Sequence, residues 1–454
     1  MKFLFLCFSL LLPLLSNAQS LRVSQNQRFL ETADGKPFFY LGDTAWELFH
    51  RLSREEATLY LENRAKKGFT VIQAVVLAEL DGLQVPNAYG EVPLMDLDPG
   101  KPNDAYFEHV DFIINRAAEL GLYVGLLPTW GDKFHKLWGV GPEVFTEKNA
   151  LTFGEFLGKR YRSAPIIWIL GGDRNPADDE DRDIIQAMAK GLRQGDRGAN
   201  LITYHPQGGA SSIDFFDEEE WLDFNMFQSG HWSRYYKNYD LTKTGYNHEN
   251  IRPVLDSEPC YEDHPINWRA ENGWFDAFDS RKRGYWSMLA GACGHTYGNH
   301  NIWQMWTRER DPISAARTPW QQSLDHPGAF QAGYMRNVFE SRPWQLLVPA
   351  NTLVTRGPNI DGREVMAAIA EDGSFLLVYT PFGSNFSIDL EKIKGDRVRV
   401  WWFNPRIGTS ILVGTFDKEE HYHANPPSDE KRGNDWVLVV ENAALDFPAP
   451  GLGE

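Results

Sequence analysis

Residues 165–175, Pro-Ile-Ile-Trp-Ile-Leu-Gly-Gly-Asp-Arg-Asn, constrain the fold of this chain more than any other segment. The apolar residues from Ile166 to Leu170 are mostly β-branched or aromatic, which is typical of a strand buried on both faces of a parallel sheet. Two glycines end the run, and Asp173 comes directly after them. Barrel enzymes carry catalytic groups at such carboxyl ends of strands. The segment therefore predicts a parallel α/β fold with a functional acid at the end of a central strand.

A second segment of the same form, Pro-Val-Leu-Asp-Ser-Glu-Pro, occupies residues 253–259. Glycosidic cleavage uses two carboxyl groups, one that protonates the leaving oxygen and one that acts as nucleophile or base. Asp256 and Glu258 share one face of an extended chain, and Glu258 is the nearer of the two to the strand end. We therefore predict Glu258 as the nucleophile and Asp173 as the general acid, with a pKa raised by burial.

Both acids also have structural interpretations. Asp173 could cap the following helix or pair with Arg174. Glu258 could be the ion-pair partner of Arg252 or of Arg281. The sequence leaves these alternatives open.

The first 18 residues are predicted to be a signal peptide. Lys2 precedes an apolar stretch from Phe3 to Leu15, and Ser16-Asn17-Ala18 supplies small residues for cleavage before Gln19. The stretch is short for a membrane-spanning helix, and no later segment resembles one. We therefore expect an exported protein without a transmembrane segment.

From residue 38 to about residue 306, short apolar runs alternate with helical segments, which predicts repeated βα units. Eight such units close most simply as a (β/α)₈ TIM barrel, which we assign to residues 19–347. An open doubly wound sheet is the alternative, but no glycine-rich phosphate loop comes after the first strand. The predicted strands are 38–42, 70–76, 122–127, 166–170, 201–204, 223–227, 253–256 and 294–297.

The pattern changes after about residue 348. Short β-like runs at 365–369, 375–379, 398–403 and 436–440 are separated by Gly, Asp, Asn and Pro, and Asp372-Gly373 is a typical hairpin turn. We assign residues 348–454 to a small antiparallel β-sandwich. Cys260 and Cys293 are the cysteines outside the leader, and they either pair or remain buried thiols.

Many candidate binding residues fall at or just beyond the predicted strand ends, so they should converge at one barrel mouth. Side chains that contact the sugar are expected among Asp43, Trp46, Trp130, Asp132, Lys133, Arg174, His205, Gln228, His231, His295 and His300. Trp232 and Trp303 are further aromatic candidates for stacking on sugar rings. Glu79 and Asp81 are equally well explained as solvated loop acids.

The histidines raise the alternative of a metal-dependent hydrolase. However, no His-x-His comes after the first strand and no His-Glu-x-x-His is present, so we predict no metal and no other cofactor. Hydrogen bonding to sugar hydroxyls or to the two carboxylates is the preferred role. The formal net charge of −17 argues against nucleic acid as a partner.

Three motifs resemble those of a known family. Gly42-Asp43-Thr44-Ala45-Trp46, Lys67-Gly68-Phe69-Thr70-Val71-Ile72-Gln73 and Ile169-Leu170-Gly171-Gly172-Asp173-Arg174-Asn175 are similar to the apiosidase-like glycoside hydrolases, family 140. The resemblance covers nearly the whole mature chain. It implies a (β/α)₈ barrel followed by a β-sandwich formerly classed as collagen-binding.

The resemblance also implies an activity. It implies endo-acting hydrolysis of the bond between apiose and galacturonic acid in the side chains of rhamnogalacturonan II, a plant pectin. The catalytic pair of the family maps onto Asp173 and Glu258. Related barrel glycosidases carry Asn-Glu where this chain has Gly172-Asp173, and a retaining mechanism is inferred by analogy with them. The resemblance implies the periplasm or cell surface of a Gram-negative bacterium, and we expect a monomer.

An acidic pectic substrate requires local positive charge on an acidic protein. Lys133, Lys136 and Arg174 are candidates to pair with galacturonate carboxylates, Arg174 bidentately. The alternative to a glycosidase is a catalytically inactive carbohydrate-binding or adhesion protein, which the aromatic residues and the sandwich also permit.

Overall fold

The computed structural model of the protein describes residues 20–358 and 360–452. The predicted signal peptide, residues 1–18, lies outside the described residues. Within them, every helix is too short or too polar to span a bilayer.

The first part of the chain forms a barrel of eight parallel strands. They are β1 (Tyr40–Thr44), β2 (Val71–Leu77), β3 (Tyr123–Thr129), β4 (Ile166–Gly171), β5 (Ile202–His205), β6 (Asn225–Phe227), β7 (Val254–Asp256) and β8 (Gly294–Tyr297). Six of them pair in the order β8-β1-β2-β3-β4-β5, and β6 pairs with β7. Single backbone bonds join these two groups: Asp223 N to Ile202 O at 2.9 Å, and Cys293 N to Val254 O at 2.9 Å. The ring is thereby closed, and the predicted (β/α)₈ fold is confirmed.

Helices alternate with the strands along the chain. They are α1 (Arg54–Lys66), α2 (Asp104–Glu119), α3 (Glu147–Tyr161), α4 (Asp179–Asp196), α5 (Ile213–Phe216), α6 (Asn238–Tyr246), α7 (Ala277–Leu289) and α8 (Pro327–Glu340), with single turns at Leu48–Arg51, His300–Trp303 and Trp320–Ser323. A capping box begins α1, where Ser53 and Glu56 bond reciprocally. Short 3₁₀ turns lie at Met95–Leu97, Gly131–Lys133, Ile266–Trp268, Ala270–Asn272, Ile313–Ala315, Trp344–Leu346, Asn351–Leu353 and Ala443–Leu445.

A small antiparallel sheet closes the amino end of the barrel, and sequence patterning had not indicated it. Its strands are Leu21–Val23, Leu30–Thr32 and Pro37–Phe38. Leu21 and Leu30 pack into the same apolar cluster as barrel residues such as Val71 and Ile167. In the part of the chain that the structure describes, the amino end of the barrel is therefore covered, and the cavity opens toward the carboxyl ends of the strands, where catalytic residues are found in this fold.

The remainder forms two antiparallel sheets. The larger contains β9 (Leu347–Pro349), β11 (Met366–Ala370), β12 (Phe375–Thr380), β14 (Arg397–Asn404), β15 (Thr409–Asp417) and β17 (Trp436–Asn442) in the order β9-β11-β12-β17-β14-β15. The smaller contains β10 (Val354–Arg356), β13 (Phe386–Asp389) and β16 (His421–Ala424). The predicted sandwich is confirmed, and Gly373 occupies a left-handed position (φ 73°) in the predicted hairpin turn.

The sandwich packs against the barrel through one continuous apolar cluster that draws residues from both. Tyr285 of α7 stacks on Tyr379 of β12, with ring centres 4.7 Å apart. Arg281 of α7 forms a fully buried ion pair with Asp435, 2.5 Å away. The sandwich therefore buttresses the barrel from the α7 side. Cys260 and Cys293 are free buried thiols.

Candidate active site

A cavity of about 560 Å³ opens at the carboxyl ends of the barrel strands. Asp173 and Glu258 both line it, together with residues from loops around the barrel, including Trp46, Glu79, Trp130, Gln207, Gln228, Tyr261 and Trp303. The two acids that the sequence singled out therefore share one cavity. This is the placement that two-carboxylate chemistry needs.

The backbone around Asp173 takes an unusual conformation. Gly171, Gly172 and Asp173 have φ angles of 88°, 97° and 54°, a left-handed run that side chains other than glycine resist. Two backbone bonds fix the corner, from Gly131 N to Gly172 O at 3.0 Å and from Gly172 N to His205 O at 3.1 Å. The two glycines thus turn the chain so that Asp173 faces the cavity instead of continuing the strand.

Gly171→Ala is expected to destabilise the fold by more than its φ angle explains. A Cβ at Gly171 would lie 2.4 Å from the carbonyl oxygen of His205, so overpacking of about 1–3 kcal/mol adds to left-handed strain of about 1–2 kcal/mol. Gly198→Ala is the matched control, since Gly198 has φ 73° and open space around it. Denaturant midpoints measure both changes, and equal losses would refute the steric contribution.

His205 connects the two acids. Its Nδ1 accepts a hydrogen bond from the backbone N–H of Asp173 at 3.3 Å. The proton must then be on Nε2, which lies 3.2 Å from Oε2 of Glu258, although poorly aligned for a hydrogen bond. His205 therefore lies between the backbone of Asp173 and the carboxylate of Glu258.

His231 approaches the other oxygen of Glu258. Its Nε2 lies 2.9 Å from Oε1, and its Nδ1 accepts from the backbone N–H of Tyr261 at 3.4 Å. The ring also stacks on His264, with centres 4.2 Å apart. Both oxygens of Glu258 thus face imidazole N–H groups of fixed tautomer.

The two acids have pKa values shifted in opposite directions. Burial raises the pKa of Asp173, the charge of Glu258 raises it further, and the result is about 7. Burial would also raise the pKa of Glu258, but the N–H groups of His205 and His231 outweigh it and lower that pKa to about 2. Near neutral pH Glu258 is therefore ionised, whereas Asp173 retains its proton in a large share of the molecules, and these are the two states that glycosidic cleavage requires.

Glu79 brings a third carboxyl group to the cavity. Burial and then the nearby charges of Asp173 and Asp132 raise its pKa to about 8. The sequence supports two interpretations of Glu79 equally, as a residue of the site and as a solvated loop acid. The structure places it in the site.

Several predicted binding residues line the cavity as expected. Trp46 and Trp130 form its aromatic wall with ring centres 5.2 Å apart, although only 2% and 3% of each residue is exposed. Gln228, His231, Trp232 and Trp303 also line it. His205 lies directly behind Trp46, with ring centres 5.6 Å apart.

Other predicted contacts with substrate are not supported, because the side chains are fully buried on partners of their own. Asp43 accepts hydrogen bonds from Tyr60 and Arg64, the latter at 2.6 Å. Asp132 and Lys133 pair with each other at 2.8 Å. These acids satisfy basic or phenolic groups of the scaffold instead of facing the cavity.

The two histidines of the eighth unit lie in the core. Burial lowers the pKa of His295 to about 3, so it is a neutral core residue. His300 Nε2 lies 3.0 Å from the carbonyl oxygens of Ile313 and Ser314, so it holds a loop that itself borders the cavity.

Arg174 does not offer its guanidinium to substrate. Its Nε, Nη1 and Nη2 donate to the backbone carbonyls of His135, Asp173 and Lys136 at 2.9, 2.7 and 3.0 Å. The predicted bidentate contact with galacturonate is therefore wrong, and Arg174 instead holds the Asp173 segment against the loop after β3. Among the described residues, no lysine or arginine lines the cavity.

The sequence also missed residues that the structure brings into the cavity. Trp138, Tyr261, His264 and Trp268 belong to this group. Tyr261 and His264 lie within six positions of Glu258, so proximity to the predicted nucleophile was an available signal. In residues 20–358 and 360–452, no set of three or more His, Cys, Asp or Glu side chains forms a metal-binding group.

The (β/α)₈ fold and the paired carboxyl groups define the class, a glycoside hydrolase. Residues 24–345 match the family model described as apiosidase-like, catalytic domain, and the chain belongs to this family. Residues 348–441 match the model described as "Putative collagen-binding domain of a collagenase". The predicted family and the predicted glycosidase class are both confirmed.

Solved structures agree with this assignment. One glycoside hydrolase is 31% identical, with a TM-score of 0.86 over 95% of this chain and 99% of that chain. A glycoside hydrolase family 5 protein from Bacteroides vulgatus ATCC 8482 is 31% identical, with a TM-score of 0.88 over 96% of each chain. No curated protein sequence matches this chain.

Proposed function

We propose that this protein is an exported pectin-degrading glycosidase that cleaves apiose–galacturonic acid linkages within rhamnogalacturonan II side chains. The observation that carries the proposal is the pair of carboxyl groups, Asp173 and Glu258, held in one cavity with oppositely shifted pKa values. The apiosidase-like family supports the choice of linkage. The protein acts as a monomer in the periplasm or at the cell surface of a Gram-negative bacterium.

The reaction proceeds by two displacements. Glu258 attacks the anomeric carbon while Asp173 gives its proton to the departing glycosidic oxygen, so that the sugar becomes an ester of Glu258. The ionised Asp173 then takes a proton from water, and the resulting hydroxide displaces Glu258 and restores both groups. His205 and His231 stabilise the ionised carboxylate of Glu258 between turnovers.

Activity is expected to fall as the pH rises through about 7. Asp173 must carry its proton for the first step, and its pKa is raised to about 7, so the active form is present below that pH and lost above it. The pH dependence of kcat/KM measures this loss. Since Glu258 contributes to the raised value, Glu258→Gln should lower the pKa of Asp173 in a carbon-13 NMR titration. An alkaline limb that persists in Asp173→Asn would contradict the assignment.

A digestion experiment tests the substrate. The protein is incubated with depolymerised pectic fragments that contain rhamnogalacturonan II side chains, and the new reducing ends are identified by mass spectrometry. Release of chains with apiose at the reducing end supports the proposal. Activity confined to neutral β-glycosides would overturn the linkage and leave the glycosidase class intact.

A further inference from the structure

The loop after β3 carries the most exposed tryptophan on the cavity wall. Trp138 lines the cavity with 57% of its surface exposed, whereas Trp46 and Trp130 are almost wholly buried. Trp268, of which 45% is exposed, also lines the cavity, so the exposed indole of Trp138 belongs to an aromatic surface that is open to a ligand.

Arg174 holds this ring from one side. Its guanidinium carbon lies 4.1 Å from the centre of the Trp138 ring, a cation–π contact. The same guanidinium donates to the carbonyls of His135 and Lys136 in the loop and to that of Asp173. One face of the indole is therefore covered and fixed, and the rest of its surface remains exposed at the cavity.

The same contacts fix the position of the ring relative to the general acid. Arg174 comes directly after Asp173 in the chain and bonds its carbonyl oxygen. Asp173 delivers its proton to the glycosidic oxygen, so the sugar that leaves with this oxygen lies on the Asp173 side of the cavity. Through its contacts with both residues, Arg174 holds Trp138 on that side of the cavity.

The charge of the cavity determines how an acidic sugar can be held there. Asp173, Glu258 and Glu79 line the cavity, and no lysine or arginine of the described chain does. Ion pairing is therefore not the means of recognition. Stacking uses the apolar C–H face of a sugar ring and lets its carboxylate point toward solvent, away from the ionised carboxylate of Glu258.

We propose that Trp138 is the platform for the sugar on the leaving-group side, a uronic acid that stacks on the open face of the indole. The inference rests on the proposed function and names the residue that selects its leaving group. The cation–π contact with Arg174 fixes the Trp138 ring before substrate binds, which reduces the conformational entropy lost on binding.

Inhibition by the leaving-group product tests the proposal. Trp138→Ala is expected to raise the inhibition constant of an oligogalacturonide by about five- to tenfold, the effect of one lost aromatic contact. Trp138→Tyr should restore most of the binding, because it retains a ring. Leu137→Ala is the matched control: its side chain is 53% exposed on the same loop but does not line the cavity, so the constant should not change.

A second substrate shows whether Trp138 acts on the leaving group. Trp138→Ala should lower kcat/KM for an apiosyl galacturonide several-fold more than for apiosyl fluoride, whose leaving group has no ring to stack. An equal loss on both substrates, or an inhibition constant equal to that of Leu137→Ala, would overturn the inference.

The inference and the proposed function fail in different ways. Fluorescence titration of the Glu258→Gln protein with oligogalacturonide measures binding without turnover. Binding that depends on Trp138, with no cleavage of apiosyl substrates by the wild-type protein, would reject the linkage and keep the platform. Absence of oligogalacturonide binding would reject the platform, whichever linkage is cleaved.

Discussion

Replacement of Glu258 by alanine is expected to lower kcat by about 10⁴-fold or more while the fold persists. Without the carboxylate, no ester with the sugar can form, and water must attack the anomeric carbon unaided. The side chain is 8% exposed and faces His205 and His231, so its loss leaves a small polar space beside two imidazoles. Single-turnover rates and thermal melting, measured together, separate a loss of chemistry from a loss of structure.

Azide distinguishes a nucleophile from other essential groups. In Glu258→Ala, azide should occupy the vacated space and yield a glycosyl azide whose anomeric configuration is opposite to that of the substrate. Glu262→Gln is the matched control, because Glu262 is buried on Tyr297 and the backbone of Gly328 outside the cavity. Its turnover should remain within a few-fold of wild type. Substantial residual turnover in Glu258→Ala, with no effect of azide, would assign the nucleophile elsewhere.

The barrel and its two acids could be predicted because their signals are local. A strand buried on both faces is typically a continuous apolar run. Ile166–Gly171 satisfies this without reference to any partner, and Val254–Asp256 does so up to its last residue, Asp256. The signals for the starts of α1 and α3 were equally local, since the capping residues Ser53 and Thr146 each form hydrogen bonds with the residue three positions later. The topology of the barrel alone then places the residues after the carboxyl end of such a strand at the barrel mouth.

The direction of a side chain at a strand end was not predictable in the same way. Asp43 lies at the end of β1 much as Asp173 lies just beyond β4, yet it faces the surrounding helices and is neutralised by Arg64 of α1. Whether such a side chain faces the cavity or the scaffold depends on a partner on another element, and the spacing of residues in the sequence does not reveal that partner. Arg174 shows the converse, because its charge suggested a ligand while its three donors are used by backbone carbonyls.

Loop residues and exposed strands escaped prediction for a different reason. Trp138 lies in a loop without periodicity, and its position depends on a guanidinium 36 positions later in the chain. The strand Thr409–Asp417 is exposed along most of its length, so it lacks the buried pattern that marks its neighbour Arg397–Asn404. Patterns of burial cannot identify a strand at the edge of a sheet when little of it is buried.

Asp173→Asn is expected to slow the cleavage of glycosides with sugar leaving groups by about 10²–10⁴-fold, the usual contribution of a general acid. Asparagine is the right substitution because it matches the shape of aspartate and tolerates the left-handed backbone, with φ 54° at this position. The loss should shrink to a few-fold for an activated aryl glycoside, whose leaving group needs no proton. Steady-state kinetics on the two substrates measure the difference.

Azide should also separate this role from that of Glu258. In Asp173→Gly, which relieves the backbone and leaves space, azide should attack the sugar ester of Glu258 and give a product with the configuration of the substrate. Opposite azide products from the Glu258 and Asp173 variants can arise only if the two carboxyl groups act on opposite faces of the sugar in a double displacement. Equal rate losses in Asp173→Asn for the sugar and the aryl leaving groups would instead make Asp173 a structural residue. Its backbone bonds to Arg174 and His205 would then serve to maintain the turn after β4.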